Sequence, residues 1–301
     1  MRWKPHGTHK AEGIKTGPST RRYVGPRDTG MSLQILELLQ KETLAKWATR
    51  LGRIDPRGGI TVSYDADRKL YITHDGEDHA IAHSRRLSKL FHGHHSRGRR
   101  LVYEYLLDRV AFEDGDWIID VGANTGDLCL AFRALEKKVN IEAFEPAPGE
   151  YAALSANLAT SSSVINFRAH QLALWNERSE GLTFYMKSGS ADSSLLPIED
   201  ADDIVTVPSA RLDDLFAGDT RRFKLLKLEA EGVEPEILEG AESLLPRIDY
   251  IAADVGFERG SEQESTLPQV ANFLVERGFE IVGFEYGRLT ILFRNKNHPK
   301  I

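Results

Sequence analysis

Trp117-Ile-Ile-Asp120-Val-Gly122-Ala-Asn124-Thr125-Gly126-Asp127 decides how the rest of this 301-residue chain is read. A short apolar strand runs into an acid, and a glycine-rich turn opens a helix that extends to about Glu136. Asn140 to Phe144 is a second apolar strand, and it too is followed by an acid, Glu145. In open α/β sheets, ligands bind beyond the carboxyl ends of such strands. Gly122 and Gly126 let the backbone come close to a ligand. The N–H groups that open the helix favour a carboxylate. Glu145 is placed to accept hydrogen bonds from both hydroxyls of a ribose.

A nicotinamide dinucleotide competes for a site of this kind. The full G-x-G-x-x-G is absent, since only Gly122 and Gly126 are present. Asp120, ahead of the first glycine, would repel a pyrophosphate but suits an ammonium group. Ammonium, carboxylate and ribose occur together in S-adenosyl-L-methionine, the cofactor this segment favours. Asp120 could instead only cap the turn, but that reading leaves Glu145 unexplained.

Outward from this unit the alternation continues. Helices are expected at Pro148 to Leu158, Pro235 to Leu245 and Leu267 to Arg277, and strands at Val164 to Phe167, Lys224 to Leu228 and Asp249 to Val255. Residues 171–187 read as a β-hairpin insertion, with Leu182 to Tyr185 as one arm. Phe279 to Val282 and Leu289 to Phe293 close the chain as a pair. The pattern predicts an α/β fold, a mostly parallel sheet with helices on both faces.

Upstream, Ser32 as N-cap opens a helix with Leu33, Leu36, Leu44, Trp47 and Leu51 on one face. It ends at the turn of residues 56–59. Ile60 to Tyr64 and Lys69 to Thr73 form a hairpin, and a helix is expected from Arg99 to Val110. The organisation is thus a disordered extension at 1–30, a helix, hairpin and lid region at 31–112, and a ligand-binding domain at 113–301.

The net charge of −6 hides an asymmetry: residues 1–30 carry +5 and residues 85–100 carry +6, which leaves −17 elsewhere. An acidic body with two basic segments is not the footprint of a nucleic-acid binder. No apolar run reaches the length of about 18 residues that a membrane span needs. A single cysteine, Cys129, on the apolar face of its helix, fits the core of a protein in a reducing cytoplasm.

Several motifs follow one another in order: Asp120 to Gly126; Ala143-Phe-Glu145-Pro146 with Tyr151, Leu154 and Asn157; Ala173-Leu174; Lys227-Leu-Glu-Ala-Glu231-Gly232-Val-Glu234; and Glu239-Gly-Ala241. In these the chain resembles the FkbM family of methyltransferases, from near Gly115 to near Arg294. The resemblance implies a class I methyltransferase (Rossmann-like) fold and methyl transfer to a hydroxyl of a sugar, polyketide or related metabolite. It implies a cofactor site of Asp120, Gly122, Asn124, Thr125, Gly126, Glu145, Pro146 and Ala173. The family usually carries Asp at position 229 and tends to carry Glu at 254, where this chain has Glu229 and Asp254. Either a compensated change or drift accounts for the exchange.

Methyl transfer is an in-line displacement, and a hydroxyl nucleophile benefits from a base. Glu229, after the fourth strand of the parallel unit, is the first candidate beside the methyl group, with Asp254 facing it across the acceptor pocket. Glu231 and Glu234 sit at a helix start, where acids also suit the dipole. Three carboxylates this close could hold Mg²⁺, but no distinctive ligand spacing appears and no metal is expected. For residues 85–100, three readings stay open. They form a solvated loop, or a lid whose Arg residues read an anionic acceptor while His94 supplies a base near neutral pH. The third is a zinc site on His92, His94 and His95, which lacks a fourth ligand. The acceptor is a small molecule or glycan. Transfer to nitrogen or a carboxylate, or a catalytically degenerate partner subunit, are the alternatives, and the oligomeric state is not legible.

Overall fold

A computed structural model describes residues 41–54, 59–187, 193–197 and 201–297. The expectations for residues 1–30, the helix start at Ser32 and most of the turn at 56–59 lie outside the described residues.

The central sheet follows from its sequences. Strands β4 (Trp117–Val121), β5 (Val139–Phe144), β10 (Phe223–Leu228) and β11 (Ile248–Asp254) are almost continuously buried runs. Such strands are covered on both faces, as parallel sheets require. Ile118, Leu225, Ala252 and Leu292 pack on one face, and Ile119, Leu226, Ile251 and Phe293 on the other. With β6 (Val164–His170), β14 (Phe279–Glu285) and β15 (Thr290–Asn295) they form seven strands in the order β14-β15-β11-β10-β4-β5-β6. Only β15 runs antiparallel to its neighbours. This is the mostly parallel class I arrangement that the resemblance implies. Chain order reverses around β4, which lies between β5 and β10, and that is where such sheets bind ligands. Val121 is level with Phe144 on one side and Leu228 on the other. Gly122, Glu145 and Glu229 therefore leave the sheet along one edge.

The N-terminal region differs from the expected hairpin. It is a three-stranded antiparallel meander of β1 (Thr61–Asp65), β2 (Leu70–Asp75) and β3 (Glu77–Ile81). Helix α1 (Lys41–Ile54) buries Leu44, Ala45 and Ala48, while Trp47 and Leu51 are exposed. The buried stripe is thus rotated from the large apolar residues to the small ones that allow close approach to β1. Its apolar residues join one cluster with those of β4, β5 and β10.

The basic stretch is not a solvated loop. It folds as a 3₁₀ helix at Ser84–Leu90 and α2 (His94–Glu104), which starts earlier than expected and stops where Leu106 adopts a left-handed φ of 56°. Gly98 of α2 lies against the Leu130 carbonyl of α3 (Leu128–Ala134), so the two helices touch with no side chain between them. Cys129 is buried as expected.

On the other side of the sheet edge, α4 (Pro148–Thr160) packs against β3. The predicted hairpin at 171–187 pairs differently. Strand β8 (Ser179–Met186) is antiparallel to β9 (Asp203–Ala210), with β7 (Ala173–Leu174) parallel to β9. The short α5 (Leu212–Leu215) and α6 (Glu234–Glu239) follow, and α6 is shorter than its predicted span. Then come the small pair β12 (Phe257–Arg259) and β13 (Glu264–Ser265) and helix α7 (Leu267–Glu276). Among the described residues no helix is long and apolar enough to cross a membrane.

Candidate active site

A cavity of about 510 Å³ opens at the carboxyl edge of β4, β5 and β10. The turn after β4 forms its floor. Gly122, Asn124 and Gly126 all have positive φ, of 62°, 49° and 80°. A Cβ on Gly122 would run into the Glu229 carbonyl, so only glycine lets the turn and the end of β10 meet. Asn124 tolerates its left-handed conformation because its Oδ1 accepts from Thr125 N at 2.9 Å.

Glu145 lines this cavity. Its Oε2 accepts from Asn124 N at 2.8 Å and its Oε1 from Ala147 N at 2.9 Å. Each oxygen keeps a lone pair for a further donor. Burial pushes its pKa up to about 7, against those two backbone donors. Asp120, 2% exposed, also lines the cavity. Its Oδ1 is 3.2 Å from Lys227 Nζ but makes no aligned hydrogen bond. Burial raises its pKa, and the Lys227 charge opposes that.

Lys227 is the residue to which sequence reasoning assigned no role. Its ammonium donates to the carbonyls of Val121 and Gly122 at 2.9 and 2.8 Å and lies 3.1 Å from Glu229 Oε2. The signal was present: a lysine between two leucines in a strand that is otherwise apolar at its end. Tyr105, just after α2, and Arg288, before β15, meet it at the same carboxylate. The Tyr105 hydroxyl donates to Glu229 Oε2, and the Arg288 guanidinium pairs with Glu229 Oε1. No local pattern marks either residue, because each arrives from an element far away in sequence.

Most of the expected site residues converge. Asp120, Gly122, Asn124, Glu145, Pro146, Ala173 and Glu229 line the one cavity. Thr125 and Gly126 belong to the turn but do not face the cavity. Thr125 is fully buried, and its hydroxyl donates to Asp127 at 2.9 Å. A Cβ on Gly126 would meet Leu154 of α4. Asp254 does not face Glu229 across open space: Arg288 stands between them, with its Nε 2.7 Å from Asp254 Oδ2. Burial and Glu258 push the Asp254 carboxyl up to about 8, and the adjoining guanidinium favours its charged form.

His94 is placed elsewhere, and the expectation of a lid base is corrected. It is fully buried beneath the meander, with Nε2 2.8 Å from Thr73 Oγ1, and it is not part of the cavity wall. Burial and the nearby His79 lower its pKa to about 4, so it stays neutral where a base near pH 7 was sought. Glu234 is also structural: its Oε1 accepts from Ala230 N and Gly232 N at 2.8 and 3.2 Å.

S-adenosylmethionine fits this donor set. Glu145 suits a ribose diol, Asp120 an ammonium, and Pro146, Leu172, Ala173 and Leu174 give one wall an apolar surface for a flat base.

The model of the methyltransferase FkbM domain matches residues 120–281. "Methyltransferase 1" of Beauveria bassiana (strain ARSEF 2860) is 30% identical over 47% of this chain, which spans 65% of that relative, less than two thirds of its length. "31-O-demethyl-FK506 methyltransferase FkbM" of Streptomyces tacrolimicus is 28% identical over 59% of this chain and 78% of its own. Among solved structures, precorrin-6y C5,15-methyltransferase from Geobacter metallireducens GS-15 superposes with a TM-score of 0.37 at 14% identity, over 64% of this chain and 87% of that one.

Proposed function

The chain belongs to the FkbM family of methyltransferases, and on that footing we propose that it moves a methyl group from S-adenosylmethionine to a hydroxyl of a sugar, glycan or secondary metabolite. The observation that carries the cofactor is the pair of buried acids, Asp120 and Glu145, at the ends of neighbouring strands in one cavity. Transfer to oxygen is supported by the Streptomyces relative, whose name specifies an O-linked methyl.

When bound, the cofactor supplies an electrophilic methyl on a sulfonium. Glu145 would hold the ribose, since each of its oxygens keeps a lone pair beyond its backbone donor. Asp120 would attract the ammonium, with its charge partly offset by Lys227 beside it. Gly122 lets the turn pack directly against the end of β10, which sets the floor on which the cofactor would lie. Glu229 marks the acceptor end. With both its oxygens engaged by Tyr105, Lys227 and Arg288, it orients those groups around the acceptor rather than taking the hydroxyl proton itself. Tight placement of the nucleophile in a dry site is the larger contribution to such a displacement. A lone buried cysteine suits a reducing, cytoplasmic setting.

Calorimetric titration with S-adenosylmethionine, S-adenosylhomocysteine and NAD tests the cofactor. The first two should bind in the micromolar range and NAD not at all; the opposite result would falsify the reading. Transfer of labelled methyl to panels of hydroxyl, amine and carboxylate acceptors then separates oxygen from the other atoms.

A further inference from the structure

We propose that Lys89, flanked by Arg86 and Arg97, forms an anion subsite in the wall of this cavity and takes a carboxylate or phosphate carried by a ligand of the site. All three residues line the cavity that holds Asp120 and Glu145. They come from the 3₁₀ helix at Ser84–Leu90 and from α2, so packed backbone rather than a loose loop presents them.

Within contact range the two arginines share their carboxylates with others. Arg97 and Arg86 both turn to Asp127, at 2.9 and 3.5 Å, and Asp127 also receives His79 and the Thr125 hydroxyl. Arg97 has a second carboxylate, Glu104, at 3.6 Å, but Arg100 at 2.5 Å and Arg288 at 3.9 Å share it. Among the described residues Lys89 has no carboxylate partner. Desolvation first, and then the fields of Arg86, Arg97 and Arg288, lower its pKa to about 8. The side chain still reaches solvent, so its loss of hydration is partial, and the surrounding positive charge is what an incoming anion would relieve. Structural arginines end on carboxylates; a lysine placed among three guanidiniums, in the wall of a ligand cavity, lacks such an end.

Two ligands could bring the anion: the methionine carboxylate of the cofactor, or an acidic acceptor. Only that choice rests on the methyl-transfer reading. The probe is inorganic phosphate, followed by ³¹P line broadening on the full chain, with and without saturating S-adenosylhomocysteine. Phosphate should bind the native protein. Lys89→Gln should weaken it about tenfold, the weight of one charge-assisted hydrogen bond, and Lys89→Arg should keep it. Phosphate that stays bound beside S-adenosylhomocysteine assigns the subsite to the acceptor. Displacement, with Lys89→Gln weakening S-adenosylhomocysteine equally, assigns it to the cofactor. No phosphate binding, or affinity indifferent to Lys89→Gln, overturns the proposal. Phosphate bound through Lys89 by a chain that ignores S-adenosylhomocysteine would sink the methyl-transfer reading and leave the subsite standing.

Discussion

Arg288 and Asp254 are joined by a 2.7 Å contact between Nε and Oδ2, and the same guanidinium reaches across to Glu229. Two carboxylates at the ends of neighbouring strands therefore share one cation. Glu229 is one methylene longer, and Asp254 one shorter, than the residues usual in the family. Shortening Glu229 to Asp, or lengthening Asp254 to Glu, should each destabilise the protein, and the two together should recover part of the loss. Urea unfolding should give a coupling above about 0.5 kcal/mol. In an Arg288→Lys background the coupling should vanish, because an ammonium cannot span both groups as a planar fork does. Strict additivity in the native background would leave the exchange as drift.

Glu229→Gln separates orientation from proton transfer. Removing the charge leaves Lys227 and Arg288 each short of a partner, and should cost about 2–4 kcal/mol of stability. The value of kcat should fall by about ten- to a hundredfold through lost positioning, with S-adenosylhomocysteine affinity almost unchanged. The acidic limb of the kcat profile should persist. If that limb disappears and the loss lies at the upper end of the 10²–10⁴-fold range of general bases, Glu229 is the base after all.

Glu145 gives the cofactor-free protein a pH dependence of definite sign. Its folded pKa, about 7, stands above its ordinary 4.5. The stability it contributes is full below pH 4.5 and is lost as pH rises through 7. Without cofactor, Glu145→Gln should therefore be the more stable form at pH 8, by up to on the order of 3 kcal/mol. With cofactor the order reverses, because ribose hydroxyls favour the ionised acceptor. Native affinity should rise from pH 6 to pH 8, and the Gln variant should bind at least about tenfold more weakly with no such rise. Melting curves and calorimetry at both pH values check this.

Asp127 acts in the opposite sense. Arg97, His79 and Arg86 hold its carboxyl well below the ordinary 3.8, against burial. Its contribution is present above pH 3.8 and is lost as pH falls toward its depressed pKa. Asp127→Asn should cost about 3–5 kcal/mol at pH 7, since two guanidiniums lose their partner. The gap between variant and native urea midpoints should narrow on acidification. A gap independent of pH would mean that the charge is not what matters.

Gly98→Ala sets helix propensity against packing. In a free helix the change would help by about 1 kcal/mol. Here the added Cβ meets the Leu130 carbonyl and Ala134 across the contact of α2 with α3. A net loss of about 1–3 kcal/mol is expected from overpacking, read as a lower Tm. A higher Tm would show that the two helices part readily.

The turn after β4 and the acids at the strand ends were legible in the sequence for a physical reason. An apolar run, an acid, a glycine that must take a positive φ and a second acid one βα unit later are local requirements, and local chemistry meets them. The four central parallel strands, β4, β5, β10 and β11, match the expectation on the same ground, since burial on both faces leaves continuous apolar runs. What failed depended on partners. Which stripe of α1 is buried depends on the closeness of β1, so Ala45 and Ala48 replace Trp47 and Leu51 in the core. Strand β8 finds its mate in β9, well past the adjacent arm that a hairpin reading assumes. His94 carries the chemistry of a base, but packing against Thr73 removes it from the cavity. The cluster around Glu229 is assembled by tertiary structure: Tyr105, Lys227 with Glu229, Asp254 and Arg288 come from four separate segments. Their meeting is set by strand order and by the docking of α2, neither of which any short window of sequence contains.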